Sequence, residues 1–534
     1  MPWTTVRPIL LASASGILYP LCFPDFDLGA LAWILLIPLH LALQDASLRR
    51  AFWLGWLTGI VGFVGTMAWV VTAMHLYGKV PLVVSYALML LLAAYLGLYV
   101  ALYAVGMVWL GQRVPRLVLF GAPCVWVSLE LLRTYVLSGL PWSLLGYSQY
   151  QWLTVIQIAD HTGVYGLSFL IVLVNMALTE VGVWAVRHVR HQAKVLVPWP
   201  SVVSATLGMI ISLAYGYTQL NEAHHPAHDR MGATDRSIVI GLVQANIDQA
   251  HKWDPAYQLE TMGRYQRLTH EASQGADLVL WPEAATPFLF EQEPGYREEV
   301  TSFVRAQNVA LLFGSPAVRF HPDGRPYLLN SAYLLSREGT IIGRYDKQHL
   351  VPFGEYVPLR SSILFFLDKL VEGIGEFQAG PGPTILEVPS NGADPAVKFG
   401  VVVCYEVIFP NLVRKFPARG AEFMVTITND AWFGESVAPF QHFGMVVFRA
   451  VENRIAFARA ANTGVSGFID PYGRILAASP IFEELTLRGA IPARSTPTFY
   501  TRYGDVFAVG CVIMTGILGV AGYRRTWLEA RATR

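Results

Sequence analysis

Hydrophobic residues follow two different rhythms along this chain. Over about residues 8–23, 28–45, 51–73, 80–110, 116–137, 164–186 and 195–217, and again over about 503–522, apolar side chains are almost continuous. Most of these runs approach the roughly 20 residues that cross a bilayer as a helix; the first is short, and the fourth is long enough to tilt or break. Between 218 and 502 no such run occurs. The pattern predicts seven transmembrane helices within 1–217, a linker at 218–236, an extramembrane domain at 237–495, an eighth transmembrane helix at 503–522 and a tail at 523–534.

The middle region alternates short apolar stretches with amphipathic ones. SIVIGLVQAN (237–246) reads as a strand, and a helix follows with Leu259, Met262 and Leu268 on one side. ADLVLWPE (276–283) reads as a buried strand, a helix carries Val300, Phe303 and Val304, and ALLFGSP (310–316) is a strand again. Further strands are expected at 329–335, 341–345, 397–404 and 422–428, and 451–477 supplies a helix and a hairpin. Alternation of this kind predicts an α/β layered domain beside the α-helical membrane domain.

Composition agrees with a lipid solvent. Of 534 residues 54% are hydrophobic and only 14% charged, against about a quarter charged in soluble proteins. The net charge of +1 argues against a nucleic-acid partner. Arginine and lysine collect in alternate loops: Arg7, then Arg49 and Arg50, Arg113 and Arg116, RHVRHQAK (187–194), and the closing RRTWLEARATR. By the positive-inside rule both termini are cytoplasmic, so seven crossings put the 237–495 domain outside the cytoplasm. Glu130 and Arg133 lie three apart in the fifth run. They read as a self-satisfying structural pair or as a polar anchor near a lipid headgroup.

Candidate chemistry narrows to three strand ends. The four cysteines are Cys22, Cys124, Cys404 and Cys511, and Cys404 alone falls in the extramembrane region. They form no CxxC and no disulfide framework. No P-loop, GxGxxG or HExxH is present, and His224, His225 and His228 sit in an unpatterned linker, so neither a metal nor another cofactor is expected. Glu283 ends one apolar strand, Lys347 follows a second and Cys404 ends a third, where loops of an α/β sheet gather reactive groups. A thiol is a nucleophile only as thiolate. A carboxylate can take its proton, and an ammonium can stabilise first the thiolate and then an oxyanion, with the Tyr405 backbone N–H as a second donor.

WPEAA, YDKQHLVPFGE and CYE, in that order, resemble the Glu–Lys–Cys triad of the nitrilase superfamily. Those domains are αββα sandwiches that attack carbon–nitrogen or acyl bonds through a cysteine acyl-enzyme. With ELLRTYVLSGLPWSLLGY, HLVPFGEYVP, CYEVIFP, TNDAWFG and QHFGMVVFRAVENR, the chain resembles, nearly end to end, the membrane-embedded branch of that superfamily, the bacterial apolipoprotein N-acyltransferases. FARAANTG departs from the family's more usual polar string ending in N-[TN]-G, away from the triad.

The resemblance implies Glu283 as general base, Lys347 as stabiliser of thiolate and oxyanion, and Cys404 as nucleophile. Glu355 would position the lysine, with Tyr405 and Glu406 as supporting residues. Trp253 and Trp432 match aromatics where lipid enters, although Trp432 also reads as a core residue. The implied reaction moves an acyl chain from a phospholipid, typically phosphatidylethanolamine, through a Cys404 thioester to the α-amine of an S-diacylglyceryl cysteine on an apolipoprotein. It would run without a cofactor, on the periplasmic side of the bacterial cytoplasmic membrane, and a monomer is expected. The segment 359–380, with Phe365 and Phe366 in ILFFL, reads as an arm that dips into lipid or as an ordinary core helix. The triad alone also permits a membrane-tethered amidase with a soluble substrate.

Overall fold

The structure is a computed structural model that describes residues 3–190, 196–222, 236–356, 377–389, 395–494 and 496–532. Its contacts divide the chain into two compact units. The first comprises Met1–Val71, Val83–Asn221 and Tyr503–Arg534; the second comprises Thr72–Leu82 and Glu222–Arg502.

Five helices of the first unit are long and apolar enough to cross a membrane: Leu82–Arg113, Pro115–Ser138, Val164–Val189, Trp199–Asn221 and Val506–Arg525. The eight expected from the sequence are not reached by this measure. The third run bends by 60° between Leu48–Met67 and Val70–Tyr77, and the first two give the shorter apolar helices Val6–Leu21 and Gly29–Ala42. The second run is itself broken, and its freed backbone groups find partners inside the bundle. Asn175 accepts from the Leu36 N–H at 2.8 Å and donates to the Ala32 carbonyl at 2.9 Å. Irregular backbone at such a place is tolerated only when protein satisfies it. Close helix packing also depends on small residues: a Cβ on Gly59 would fall 2.5 Å from the Gly97 Cα of the facing helix.

Glu130 and Arg133 do not pair with each other among the described residues. Glu130 Oε1 accepts from Trp126 Nε1 at 2.9 Å and from the Leu145 N–H at 2.8 Å. The Arg133 guanidinium lies 5.0 Å from the Phe63 ring centroid. The self-contained pair read from the sequence is therefore replaced by separate ties to the loop after the helix and to a neighbouring helix.

The second unit is a sandwich of two six-stranded sheets. One has the order β12-β1-β2-β3-β4-β5 and the other β11-β10-β9-β8-β7-β6. The first contains β1 (Ser237–Gln244), β2 (Leu278–Leu280), β3 (Ala310–Phe320), β4 (Pro326–Leu335), β5 (Ile341–Asp346) and β12 (Leu485–Pro492). The second contains β6 (Ile385–Val388), β7 (Val397–Val403), β8 (Phe423–Thr428), β9 (Phe457–Ala461), β10 (Gly467–Ile469) and β11 (Ile475–Ala478). Helices Gln258–Ala272 and Pro294–Gln307 cover the first sheet with Met262, Tyr265, Leu268, Val300 and Val304 in one apolar cluster with Trp281 and Phe313. Leu259, expected on that face, is 75% exposed; Tyr265 takes the inward position. Helix Ala438–Asn453 is buried at every position except Phe440.

Candidate active site

Glu283 stands three residues beyond the last residue of β2. The next residue, Ala284, has φ +47°, so the chain turns sharply there. The turn rests on β3 at Gly314, where a Cβ would fall 2.4 Å from the Ala284 nitrogen and 2.7 Å from the Glu283 Cα. Only a residue without a side chain lets the two backbones approach so closely. The Glu283 carboxylate is buried. Oε1 accepts from Asn330 Nδ2 at 2.8 Å and lies 3.5 Å from Lys347 Nζ, while Oε2 accepts from the Asn429 N–H at 3.0 Å.

Lys347 leaves the end of β5 with its ammonium 3.0 and 2.9 Å from the two Glu355 oxygens. Glu355 is itself fixed by the Val351 N–H at 2.7 Å. Asn330, on β4, donates to Glu283 and to Glu355 at 2.8 and 2.7 Å and so ties the two carboxylates together. Burial opposes the charge of Lys347, but the carboxylates of Glu355 and Glu283 and the Cys404 sulfur outweigh it and raise the lysine's pKa. The ammonium stays charged at any physiological pH.

Cys404 follows β7 and opens a tight turn with φ +52°, a left-handed conformation that is strained for a cysteine. A fixed scaffold holds it there. The Cys404 carbonyl accepts from His442 Nε2 at 3.2 Å, and Arg459 Nη2 lies 3.0 Å from the other ring nitrogen and 2.7 Å from Asp430 Oδ2. Burial first, and then the Arg459 charge, push the His442 pKa down, against the pull of Asp430, whose Oδ1 lies 3.1 Å from Nδ1. Glu406 joins the lysine loop to the cysteine strand. Its carboxylate accepts from the N–H groups of Gln348 (2.6 Å), His349 (3.1 Å) and Val403 (2.7 Å), and from the Tyr345 hydroxyl (2.8 Å).

The thiol is buried and feels the charges of both other groups. Burial pushes its pKa well above the ordinary thiol range and the Glu283 charge adds to this, while the Lys347 ammonium and a hydrogen bond with Thr428 pull it down. At rest Cys404 is therefore a protonated thiol under the influence of a neighbouring carboxylate and ammonium.

The structure thus gathers Glu283, Lys347, Cys404, Glu355 and Glu406 in one place. Tyr405 packs its ring against Phe409, with centroids 5.1 Å apart. Trp432 is 43% exposed, which removes the core reading, and it meets Tyr77 edge-on at 5.6 Å. Trp253 is 46% exposed. Phe365 and Phe366 lie outside the described residues. Sequence reasoning missed Asn330, Asn429, His442 and Lys252, whose Nζ donates to the Glu283 carbonyl at 3.1 Å. Asn330 carried a faint signal as the one amide in the strand PYLLNSAYLL. Lys252 carried none, because nothing separates it in sequence from a solvated lysine. Among the described residues no group of three or more His, Cys, Asp or Glu side chains is arranged to hold a metal ion.

This two-sheet domain with its Glu–Lys–Cys cluster is of the carbon–nitrogen hydrolase class, and residues 239–498 match the carbon-nitrogen hydrolase family. Residues 15–177 match a second family, the apolipoprotein N-acyltransferase N-terminal domain. The apolipoprotein N-acyltransferase of Geobacter metallireducens is 42% identical over 97% of this chain and 96% of its own. That of Azotobacter vinelandii is 33% identical over 98% and 97%. The chain belongs to the apolipoprotein N-acyltransferase family and is an acyltransferase with membrane-type helices. Among solved structures, an amidase from Nesterenkonia sp. is 25% identical over 50% of this chain and 92% of its own, with a TM-score of 0.35.

Proposed function

We propose that Cys404 is the nucleophile, Glu283 the proton carrier and Lys347 the oxyanion stabiliser of a two-step acyl transfer from a phospholipid to an apolipoprotein. Supporting the reading above all is the convergence of Glu283 and Glu355 on the Lys347 ammonium beside the buried Cys404 thiol. In the first step the thiol proton passes to Glu283 and sulfur attacks the ester carbonyl of a phospholipid, with phosphatidylethanolamine the expected donor. The negative oxygen is held by Lys347 and the Tyr405 backbone N–H. The C–O bond breaks, and the lysophospholipid alkoxide leaves with the proton from Glu283.

In the second step the α-amine of an S-diacylglyceryl cysteine attacks the thioester. Such amines have a reference pKa of about 7.7–8.0, so a useful fraction is neutral at pH 7. Glu283 takes the amine proton, the C–S bond breaks, and the proton returns to the sulfur. The product amide is more stable than the thioester, so the cycle closes without an external energy source. Water is the competing acceptor, and burial of Cys404 protects the intermediate. The Glu, Lys and Cys side chains all come from one chain, in keeping with a monomer. The charge pattern of the loops favours the bacterial cytoplasmic membrane with the hydrolase-type domain on its periplasmic side.

Mass spectrometry of the isolated protein tests this directly. A fatty-acyl increment on the Cys404 peptide is expected, lost in Cys404→Ala along with transfer of labelled acyl chain to a diacylglyceryl peptide. Release of free fatty acid in place of the acylated peptide would mean a hydrolase and would sink the transferase reading.

A further inference from the structure

Lys252 is 2% exposed, a depth at which lysines are rare unless paired. It sits in the loop between β1 and helix Gln258–Ala272, directly before the half-exposed Trp253. Among the described residues no carboxylate lies within ion-pair distance of its ammonium. Its ammonium donates a hydrogen bond to the carbonyl oxygen of Glu283, at 3.1 Å. An ammonium has three N–H donors, so one anchors it to the turn that carries the proposed general base and two remain.

The charges around it explain why a cation is buried there. Glu283 and Glu355 set two negative charges against the single ammonium of Lys347. Proton transfer from Cys404 to Glu283 moves a negative charge onto sulfur without changing the total, so one excess negative charge persists through the reaction. A buried uncompensated charge is costly. The charged or ionisable groups that Lys252 feels are Glu283 and Cys404, the two between which that proton moves.

We propose that Lys252 is a second active-site cation, a positioning residue that balances the excess carboxylate charge and favours the Cys404 thiolate. This rests on the reading of Cys404 as nucleophile given above. Burial lowers the Lys252 pKa to about 8, against the pull of Glu283 and Cys404. Its charge is present below pH 8 and lost above it.

The test compares Lys252→Gln, which keeps an N–H donor for the Glu283 carbonyl but loses the charge, with Lys252→Arg, which keeps the charge. The readout is the rate of iodoacetamide alkylation of the Cys404 peptide in detergent-solubilised full-length protein, followed by mass spectrometry from pH 6 to pH 10. Lys252→Gln is expected to react about tenfold more slowly at pH 7, equivalent to one unit of thiol pKa, and Lys252→Arg to recover the rate. The wild-type profile should bend near pH 8, where Lys252 loses its proton. Equal rates in Lys252→Gln and wild type, or equal slowing in both variants, would overturn the proposal. If Lys252→Gln does not fold, a wild-type profile with one thiol ionisation and no bend near pH 8 overturns it instead. Alkylation needs no lipid, so a Cys404 that alkylates as expected but never carries an acyl group would fault the acyl-transfer reading and not this one.

Discussion

Glu283 and Glu355 approach Lys347 Nζ to 3.5 and 2.9 Å, and the Asn330 amide donates to both carboxylates. That amide holds two like charges at a fixed separation while the ammonium answers them. Replacing it by leucine leaves buried oxygens short of donors, at a cost of about 1–3 kcal/mol each. We expect Asn330→Leu to cut acyl transfer by about 10- to 100-fold and lower the Tm. Asn330→Asp should be worse, because it adds a third negative charge. Transfer of labelled acyl chain, beside a thermal melt, checks both, and an Asn330→Asp enzyme as active as Asn330→Leu would contradict the charge argument. The residue types were legible: a glutamate, a lysine and a cysteine at three strand ends stood out as reactive. Their partners were not, because Asn330, Asn429 and His442 acquire meaning only from what lies across the sandwich.

The turn after β2 meets β3, and the meeting has no spare room. A Cβ at Gly314 would press on Ala284 N and Glu283 Cα, both backbone atoms that cannot swing aside. Gly314→Ala should therefore displace the Glu283 backbone by up to about 1 Å and cost activity steeply, since a misplacement of that size can cost about 100-fold if Glu283 is the proton carrier proposed above. We expect kcat to fall with the circular dichroism spectrum retained; a variant with wild-type kcat would show that the turn is not held this tightly. Most strands of the domain were readable from apolar stretches, but β6 and β12 were not, and the hairpin expected in 451–477 accounts for two of the three strands β9, β10 and β11. β12, LTLRGAIP, is partly exposed and carries Arg488, so its strand character comes from its antiparallel pairing with β1 over Ser237–Gln244. In the membrane-type unit, length was misleading for the second run, because Asn175 satisfies a broken backbone that periodicity reads as a continuous span.

The division of the molecule does not follow the simple order of the chain. Thr72–Leu82, read from sequence as part of a membrane run and its loop, belongs to the unit that carries the candidate active site. Tyr77 meets Trp432 edge-on, and a Cβ on Gly434 would lie 2.9 Å from Thr72 Cγ2. An aromatic pair of this kind contributes about 0.5–1.5 kcal/mol. Tyr77→Ala should therefore speed amide hydrogen exchange in 430–436 by up to about tenfold, with the strands of the sandwich unaffected. Unchanged exchange there would mean that the contact does not steady the loop beyond β8.

The sequence by itself determined the two rhythms of the chain, the α/β character of residues 237–495 and the residue types that meet at the candidate site. Those are properties of composition and local order, since strand and helix periodicities are written in neighbouring positions. Only the tertiary structure decided which polar groups answer one another: that Glu406 staples the lysine loop to the cysteine strand, that one amide serves two carboxylates, and that Lys252 is buried behind Glu283. A buried charge must be balanced by whatever the fold brings near it, and residues tens of positions apart, such as Glu406 and Gln348 or Asn330 and Glu283, leave no local mark of that balance.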